Sequence, residues 1–136
     1  MKYLAAYGIA LAIFLVLDAI WLGLLARGFY MSRIGDMILD QPLWTVAGLF
    51  YLTYVAGLVY FGISTGMNGG GALTAAMNGA LFGFFAYVTY DLTNLSTMKG
   101  FDPVVALVDI AWGTLLGGIV SYLTVVALSA LGLAGD

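Results

Sequence analysis

Apolar residues fall into four long runs, at about residues 3–25, 43–64, 72–95 and 103–132. Each run approaches or exceeds the ~20 residues that an α-helix needs to cross a bilayer. The first run is too long for the apolar region of a typical signal peptide, so we expect it to be retained. The pattern predicts one all-α domain over residues 1–136, an integral membrane bundle of four transmembrane helices.

The connection between the first two runs has an amphipathic pattern from Phe29 to Asp40. On a helix, Tyr30 and Ile34 fall on one side of this segment and Arg33 falls on the other. The spacing fits a short helix that lies at the membrane interface. It fits an ordered loop equally well, and both interpretations remain open at this point.

Two prolines mark expected helix starts. Pro42 is expected to open the second helix, because proline at the first helical position lacks only an N–H that would be unpaired anyway. Asp102 followed by Pro103 predicts the start of the fourth helix, with Asp102 as the N-cap. Between the second and third runs, residues 67–71 form a short uncharged turn, which makes these helices antiparallel neighbours.

Glycines recur at steps of four in the last two runs. Gly79 and Gly83 share one face of the third helix, and Gly113 and Gly117 share one face of the fourth. Small residues at this spacing let helix backbones approach closely in lipid. We expect these faces to pack, either inside the bundle or as the contact of a homodimer.

Three aspartates lie inside the apolar runs at similar depth. At ~1.5 Å per residue, Asp18 and Asp109 lie roughly 10 Å from the side that carries the first and third connections, and Asp91 lies nearer to that side. Ionisable groups in lipid normally face the protein interior or water and mark function. The aspartates therefore predict a polar pocket in one half of the bilayer, with Tyr90 on a different face from Asp91. The residues expected to bind a ligand or ion there are Asp18, Asp91, Asp109, Tyr87, Asn94, Tyr54, Thr53, Trp21 and Trp112.

The composition supports a chain immersed in lipid and excludes several chemistries. The chain is 63% hydrophobic and 8% charged, whereas soluble domains are about a quarter charged. It has no cysteine and no histidine, which excludes thiolate sites, histidine-ligated haem and histidine general bases. No cofactor or dedicated metal site is expected. The net charge of −3, without a basic patch, argues against nucleic acid as a partner.

Three carboxylates among tyrosines are compatible with three functions. Clustered acids removed from water favour their protonated forms, because desolvation and mutual repulsion disfavour charge. Such groups can exchange protons for a cation, which favours a transporter or channel-like protein for a cation or a proton-coupled small solute. One alternative is a membrane enzyme, or an accessory subunit, that acts on a lipid. The other is a structural assembly factor whose aspartates only hold helices together.

The basic residues give the orientation. Arg27, Arg33 and Lys99 lie on the side of the first and third connections, and Lys2 lies on the other side. The positive-inside rule places connections 26–42 and 96–102 in the cytoplasm, in the inner membrane of a bacterium.

Four segments carry a resemblance to a known family. They are residues 17–23 (LDAIWLG), 50–57 (FYLTYVAG), 86–94 (AYVTYDLTN) and 108–113 (VDIAWG). With these segments the chain resembles a bacterial family of small four-helix integral membrane proteins that is known as a domain of unknown function. The resemblance implies a four-span fold, and it supplies no reaction, substrate or catalytic residue.

Overall fold

The computed structural model describes residues 1–133, where all regular secondary structure is helical. Wider π-helical turns lie at Trp21–Leu25, Val59–Ile63 and Gly66–Gly70. The last three residues of the predicted domain lie outside the described part. The α-helices within residues 1–133 are α1 (Lys2–Ile20), α2 (Arg27–Ile34), α3 (Trp44–Leu58), α4 (Gly71–Thr97) and α5 (Pro103–Ala130).

Three helical stretches among the described residues are long and apolar enough to cross a membrane: Lys2–Leu25, Trp44–Thr97 and Pro103–Ala130. The second and third predicted runs both lie in the 54-residue middle stretch. That stretch leaves helical geometry at Asn68 (φ −98°, ψ 34°) and Gly69 (φ 108°). Because glycine adopts positive φ without steric cost, the glycine-rich segment 67–71 reverses the chain where the sequence predicts a turn.

The two limbs of the middle stretch lie side by side. A β-carbon added to Gly62 would come within 3.0 Å of the Gly79 backbone. Farther toward the turn, the Asn78 side-chain amide donates a hydrogen bond to the Thr65 hydroxyl at 3.1 Å. Residues paired in this way lie at matching distances on either side of the turn, which is the register of antiparallel neighbours.

The most extensive helix contact joins α4 to α5. A β-carbon on Gly79 would lie 2.5 Å from the Gly117 carbonyl oxygen and would overlap the Ser121 side chain, and one on Gly83 would overlap the Gly113 carbonyl. The two predicted glycine faces thus pack against each other within one chain.

One face of α1 completes the core. Ala6, Ala10 and Phe14 are fully buried, and the Phe14 ring meets the Tyr51 ring edge-on at 5.4 Å between centroids. At the start of α1, the Lys2 ammonium donates to the Asn68 side-chain carbonyl at 3.1 Å. This contact fixes the start of α1 beside the turn, so the other end of α1 lies at the opposite end of the bundle.

The first connection is helical over Arg27–Ile34 and continues as a short 3₁₀ turn over Gly35–Met37, so it is not an irregular loop. Tyr30 is buried, which places the apolar side of the segment against the bundle. On its other side, the Arg33 guanidinium lies 2.9 Å from the Asp102 carboxylate. The helix α2 is therefore tied to the bundle both by burial and by an ion pair.

The two helix starts predicted from proline have opposite outcomes. Pro103 is the first residue of α5 and Asp102 accepts a 2.7 Å hydrogen bond from the Val104 N–H, so the predicted N-cap is confirmed. The prediction for Pro42 was wrong, because α3 begins two residues later at Trp44. The backbone at Leu43 (φ −78°, ψ 88°) is still non-helical, so Pro42 ends the connection instead of opening the helix.

Candidate ligand site

Three aspartates meet at the end of the bundle away from the turn. Asp91 is fully buried and Asp18 is 8% exposed. Two adjoining cavities of about 320 Å³ each open among them. Asp18 lines the first cavity, Asp91 lines the second, and Asp109 lines both. Helices that are distant in sequence therefore bring the three carboxyl groups into one region.

Asp18 is the polar wall of the first cavity. Its Oδ2 accepts a hydrogen bond from the Tyr51 hydroxyl at 3.1 Å, and its Oδ1 lies 3.5 Å from the Trp112 indole nitrogen, which donates. The second distance is long for an N–H···O hydrogen bond. Asp18 is thus oriented by a phenol while its Oδ1 keeps capacity for a donor or a cation.

The other walls of the first cavity are mostly aromatic. The Trp21 and Trp112 rings stack with centroids 4.5 Å apart and planes 6° from parallel. Aromatic faces carry partial negative charge and attract cations. Carboxylate and ring faces therefore favour a positively charged guest. The remaining aromatic lining residues are Phe50, Tyr51, Tyr87 and Tyr90.

A chain of hydrogen bonds connects the two cavities. The Trp21 indole N–H donates to the Tyr30 hydroxyl at 3.3 Å, and that hydroxyl donates to Asp109 Oδ1 at 3.0 Å. Trp21 is also the first residue of the π-helical turn that ends α1. π-Helical turns within helices are frequent at functional sites, because the wider turn re-aims the side chains that it carries.

The rim of the first cavity is apolar and aromatic. Leu22, Phe50 and Tyr90 border it, and they are 45, 46 and 58% exposed. Phe50 and Tyr90 lie six and seven residues from the near ends of α3 and α4. At ~1.5 Å per residue, the rim lies about 10 Å along those helices from their ends.

Asp91 has no hydrogen-bond partner for either carboxylate oxygen among the described residues. Asp109 lines the same cavity as Asp91. Burying an unpaired charge is costly, so the surroundings of Asp91 are unusual for an acid. Among residues 1–133, no three acidic side chains converge closely enough to hold a metal ion.

Most of the nine predicted residues line the cavities. Tyr54 lies buried behind the first cavity, with its ring edge-on to that of Tyr87 at 6.2 Å. Asn94 is half-buried and Thr53 is exposed, and neither lines either cavity. Those that line a cavity are Asp18, Trp21, Tyr87, Asp91, Asp109 and Trp112.

Three tyrosines of the site were missed by the sequence reasoning. Tyr51 binds Asp18, Tyr30 binds Asp109, and Tyr90 lines both cavities although it shares no face with Asp91 on an ideal helix. The amphipathic pattern that puts Tyr30 on the apolar side of its segment could have indicated it. No comparable signal selects Tyr51 over its neighbour Thr53.

Helices of this length and hydropathy, with acids buried among aromatic rings, define a membrane protein with a polar cavity in its helical core. The chain belongs to the family described as "Predicted membrane protein (DUF2177)", whose model matches residues 3–126. The resemblance read from the four sequence segments is thereby confirmed. Neither the curated proteins nor the solved structures include a match to the chain.

Proposed function

We propose that the protein binds an amphipathic organic cation in the first cavity and moves it through the membrane in exchange for protons. The observation that carries this proposal is the position of Asp18, a nearly buried carboxylate on the wall of an aromatic cavity. The carboxylate supplies charge, and the indole and phenol faces attract cations through their quadrupoles. An organic cation with a hydrophobic body satisfies both kinds of wall.

The size of the cavity favours a small ligand. Its volume of about 320 Å³ is at the lower end of the ~300–1,000 Å³ range of ligand pockets. That space suits a quaternary ammonium carrying one aromatic ring, and it is too small to enclose a phospholipid. A hydrated metal ion would gain little from walls that are largely apolar.

The rim favours entry from the bilayer. Leu22, Phe50 and Tyr90 present apolar and aromatic surface about 10 Å along their helices from the helix ends. A guest that partitions into the membrane through its hydrophobic body would reach Asp18 without crossing the glycine contact between α4 and α5.

The topology that goes with this function has four membrane crossings. The break at Asn68 and Gly69 divides the middle stretch into two limbs, and each limb is long enough to span a bilayer. The positions of Arg27, Arg33 and Lys99 favour an orientation with connections 26–42 and 96–102 in the cytoplasm, in an inner membrane. The cavities would lie in the cytoplasmic half of the bilayer.

The first test compares a cation with its neutral isostere. Phenyltrimethylammonium and tert-butylbenzene have the same shape and differ in charge. We expect the wild-type protein in lipid nanodiscs to bind the cation and to prefer it over the isostere. Asp18→Asn should weaken binding of the cation at least about tenfold, or about 1.4 kcal/mol, because the amide carries no charge. Isothermal titration calorimetry measures both ligands.

The control is Asp40→Asn, since Asp40 is exposed and lines neither cavity. It should bind like the wild type. If Asp18→Asn binds the cation as well as Asp40→Asn does, the proposed site is wrong. In proteoliposomes with an imposed pH gradient, wild type should accumulate the cation and Asp18→Asn should not. Binding without any flux would remove transport from the proposal and leave a cation-binding protein.

A second candidate function is a membrane enzyme, or an accessory subunit, that acts on a lipid. The apolar rim of the first cavity favours this function, because the headgroup of a lipid could pass the rim from the bilayer and reach the carboxylates. Native mass spectrometry separates the two candidates. A retained lipid that phenyltrimethylammonium does not displace would favour the lipid function.

The third candidate is an assembly factor, in which Asp18 only stabilises the bundle through Tyr51 and Trp112. This function predicts that Asp18→Asn lowers the melting temperature and leaves cation binding at the wild-type level. The same calorimetric and unfolding measurements on one preparation decide the matter. Native mass spectrometry of that preparation also gives its oligomeric state.

A further inference from the structure

The second cavity contains a carboxyl group that the proposed function does not use. Asp91 is 0% exposed, lines this cavity, and has two oxygens without hydrogen-bond partners among the described residues. A buried carboxylate without a partner is strongly disfavoured, whereas a protonated carboxyl group needs only one acceptor for its O–H. The other acidic side chain that lines this cavity is Asp109.

The elements around Asp91 set the charge of this cavity. α5 contributes one acid, α2 contributes a guanidinium and a phenol, and α4 itself contributes a second phenol. The end of α1 and the start of α5 with its preceding loop contribute apolar side chains. The ionisable groups are Asp109, Arg27, Tyr30 and Tyr90, and the apolar lining includes Leu22, Phe101 and Val105.

We infer that Asp91 and Asp109 form a paired site that holds a single proton at neutral pH. The proton is covalently bound to Asp91 and is donated in a hydrogen bond to Asp109, which remains a carboxylate. Oδ1 of Asp109 already accepts the Tyr30 hydroxyl, so its other oxygen is free to accept from Asp91. With one proton, the two acids and Arg27 sum to zero charge, whereas without it the cavity keeps a net negative charge.

The arrangement favours a proton over a metal ion as the occupant. The two carboxyl groups line one cavity, and a single proton donated from one to the other satisfies both. Mg²⁺ and Ca²⁺ require about six or more oxygen ligands, and two acids with a phenol already committed to one of them do not supply that number. This proton site exists whatever the first cavity binds, so a failed cation assay leaves it standing.

Infrared spectroscopy of the protein in nanodiscs tests the site, because a protonated carboxyl group has a carbonyl band separate from that of carboxylates. We expect the wild type to show such a band near neutral pH. Asp91→Asn should remove the band. Asp109→Asn should keep the band and shift its frequency, because the acceptor changes from a carboxylate to an amide. Asp40→Asn, which changes an exposed acid, should leave the band unaltered.

Folding of the variants is checked by thermal unfolding. If Asp91→Asn does not fold, the frequency shift in Asp109→Asn carries the test alone. Absence of the band in the wild type near neutral pH would overturn the inference. A band that persists unshifted in both Asp91→Asn and Asp109→Asn would also overturn it. A band that appears only after sodium is replaced by a large organic cation would assign the site to a metal ion, against the inference.

Discussion

Near the turn at residues 67–71, glycines bring the backbones of neighbouring helices into contact, whereas at the opposite end large aromatic side chains line two cavities. At the glycine end, a β-carbon on Gly79 would already overlap Ser121. At the aromatic end, the first cavity opens between α1, α3, α4 and α5, and the second opens between α2, α4, α5 and the turn that follows α1. The helices α4 and α5 thus contact each other through glycines near the turn and line both cavities at the opposite end.

The difference shows how a small chain combines a rigid part with a hollow part. Backbone contact through glycine lets helices approach closely and leaves no room for a guest between them. Aromatic rings at the other end form walls that can face a ligand. Asp18, Asp91 and Asp109 line the two cavities at that end.

The largest effect is expected from adding a methyl group to the glycine contact between α4 and α5. Gly79→Ala places a β-carbon against Ser121 and 2.5 Å from the Gly117 carbonyl oxygen. We expect the free energy of unfolding to fall by about 1–3 kcal/mol, because overpacking a close contact forces the backbones apart. Denaturant titration in detergent, followed by tryptophan fluorescence, measures the change.

The matched control for this change is Gly8→Ala in α1, where a β-carbon would meet nothing within 4 Å. Its stability should equal or slightly exceed that of the wild type, since alanine is the better helix former. Equal losses of stability in Gly8→Ala and Gly79→Ala would mean that the glycine contact is not the tight part of the bundle.

A smaller effect is expected from changing one ring at the aromatic end. Trp112→Leu removes the stack with Trp21 and the long contact to Asp18. Affinity for phenyltrimethylammonium should fall about 2- to 30-fold, the equivalent of about 0.5–2 kcal/mol for a lost cation–π contact. Trp112→Phe should recover part of the loss because it keeps a ring face.

Trp44→Leu is the control for the ring substitution, because Trp44 is 68% exposed and lines neither of these cavities. Its affinity should match that of the wild type in the same calorimetric titration. If both tryptophan variants lose affinity equally, the cation binds through general partitioning into the bilayer and not in the first cavity.

The smallest effect concerns the ion pair outside the apolar stretches. The Arg33 guanidinium, and then the Val104 N–H, hold the pKa of Asp102 below its usual value. A lowered pKa means that the folded state prefers the carboxylate. The stabilisation is therefore present above the pKa of the unfolded chain, near about 4, and is lost as the pH falls through the lower folded value.

Asp102→Asn keeps an N-cap side chain and removes the charge. Its melting temperature should lie slightly below that of the wild type near neutral pH, and the difference should disappear in acid below about pH 4. Asp36→Asn, at an exposed position of the connection that carries Arg33, should match the wild type throughout. A difference between Asp102→Asn and wild type that persists unchanged in acid would contradict the role of the ion pair.

Local signals in the sequence predicted much of this architecture. Asp102 and Pro103 specify a helix start through two neighbouring residues, and the glycine steps in α4 and α5 specify which faces meet. Depth along each helix brought Asp18, Asp91 and Asp109 to one end, because the rise per residue is fixed. These predictions depend only on regular helices and short connections.

Contacts that depend on tertiary placement could not be predicted in the same way. Tyr30 meets Asp109 across 79 positions, and nothing in either neighbourhood identifies the partner. Tyr90 lines both cavities, whereas helical spacing alone directs it away from Asp91. The prediction that Pro42 opens a helix was wrong because proline favours an extended connection as readily as the first turn of a helix.

Tyr30 and Arg33 stand three residues apart on α2, which is just under one helical turn. Tyr30 is bonded to an acid between the two cavities, and Arg33 is bonded to the cap of α5 at the polar edge of the protein. A single helical turn of α2 therefore joins the Tyr30–Asp109 hydrogen bond to the Arg33–Asp102 ion pair. We therefore expect a guest that displaces the Tyr30 phenol from Asp109 to shift Arg33 relative to Asp102 as well.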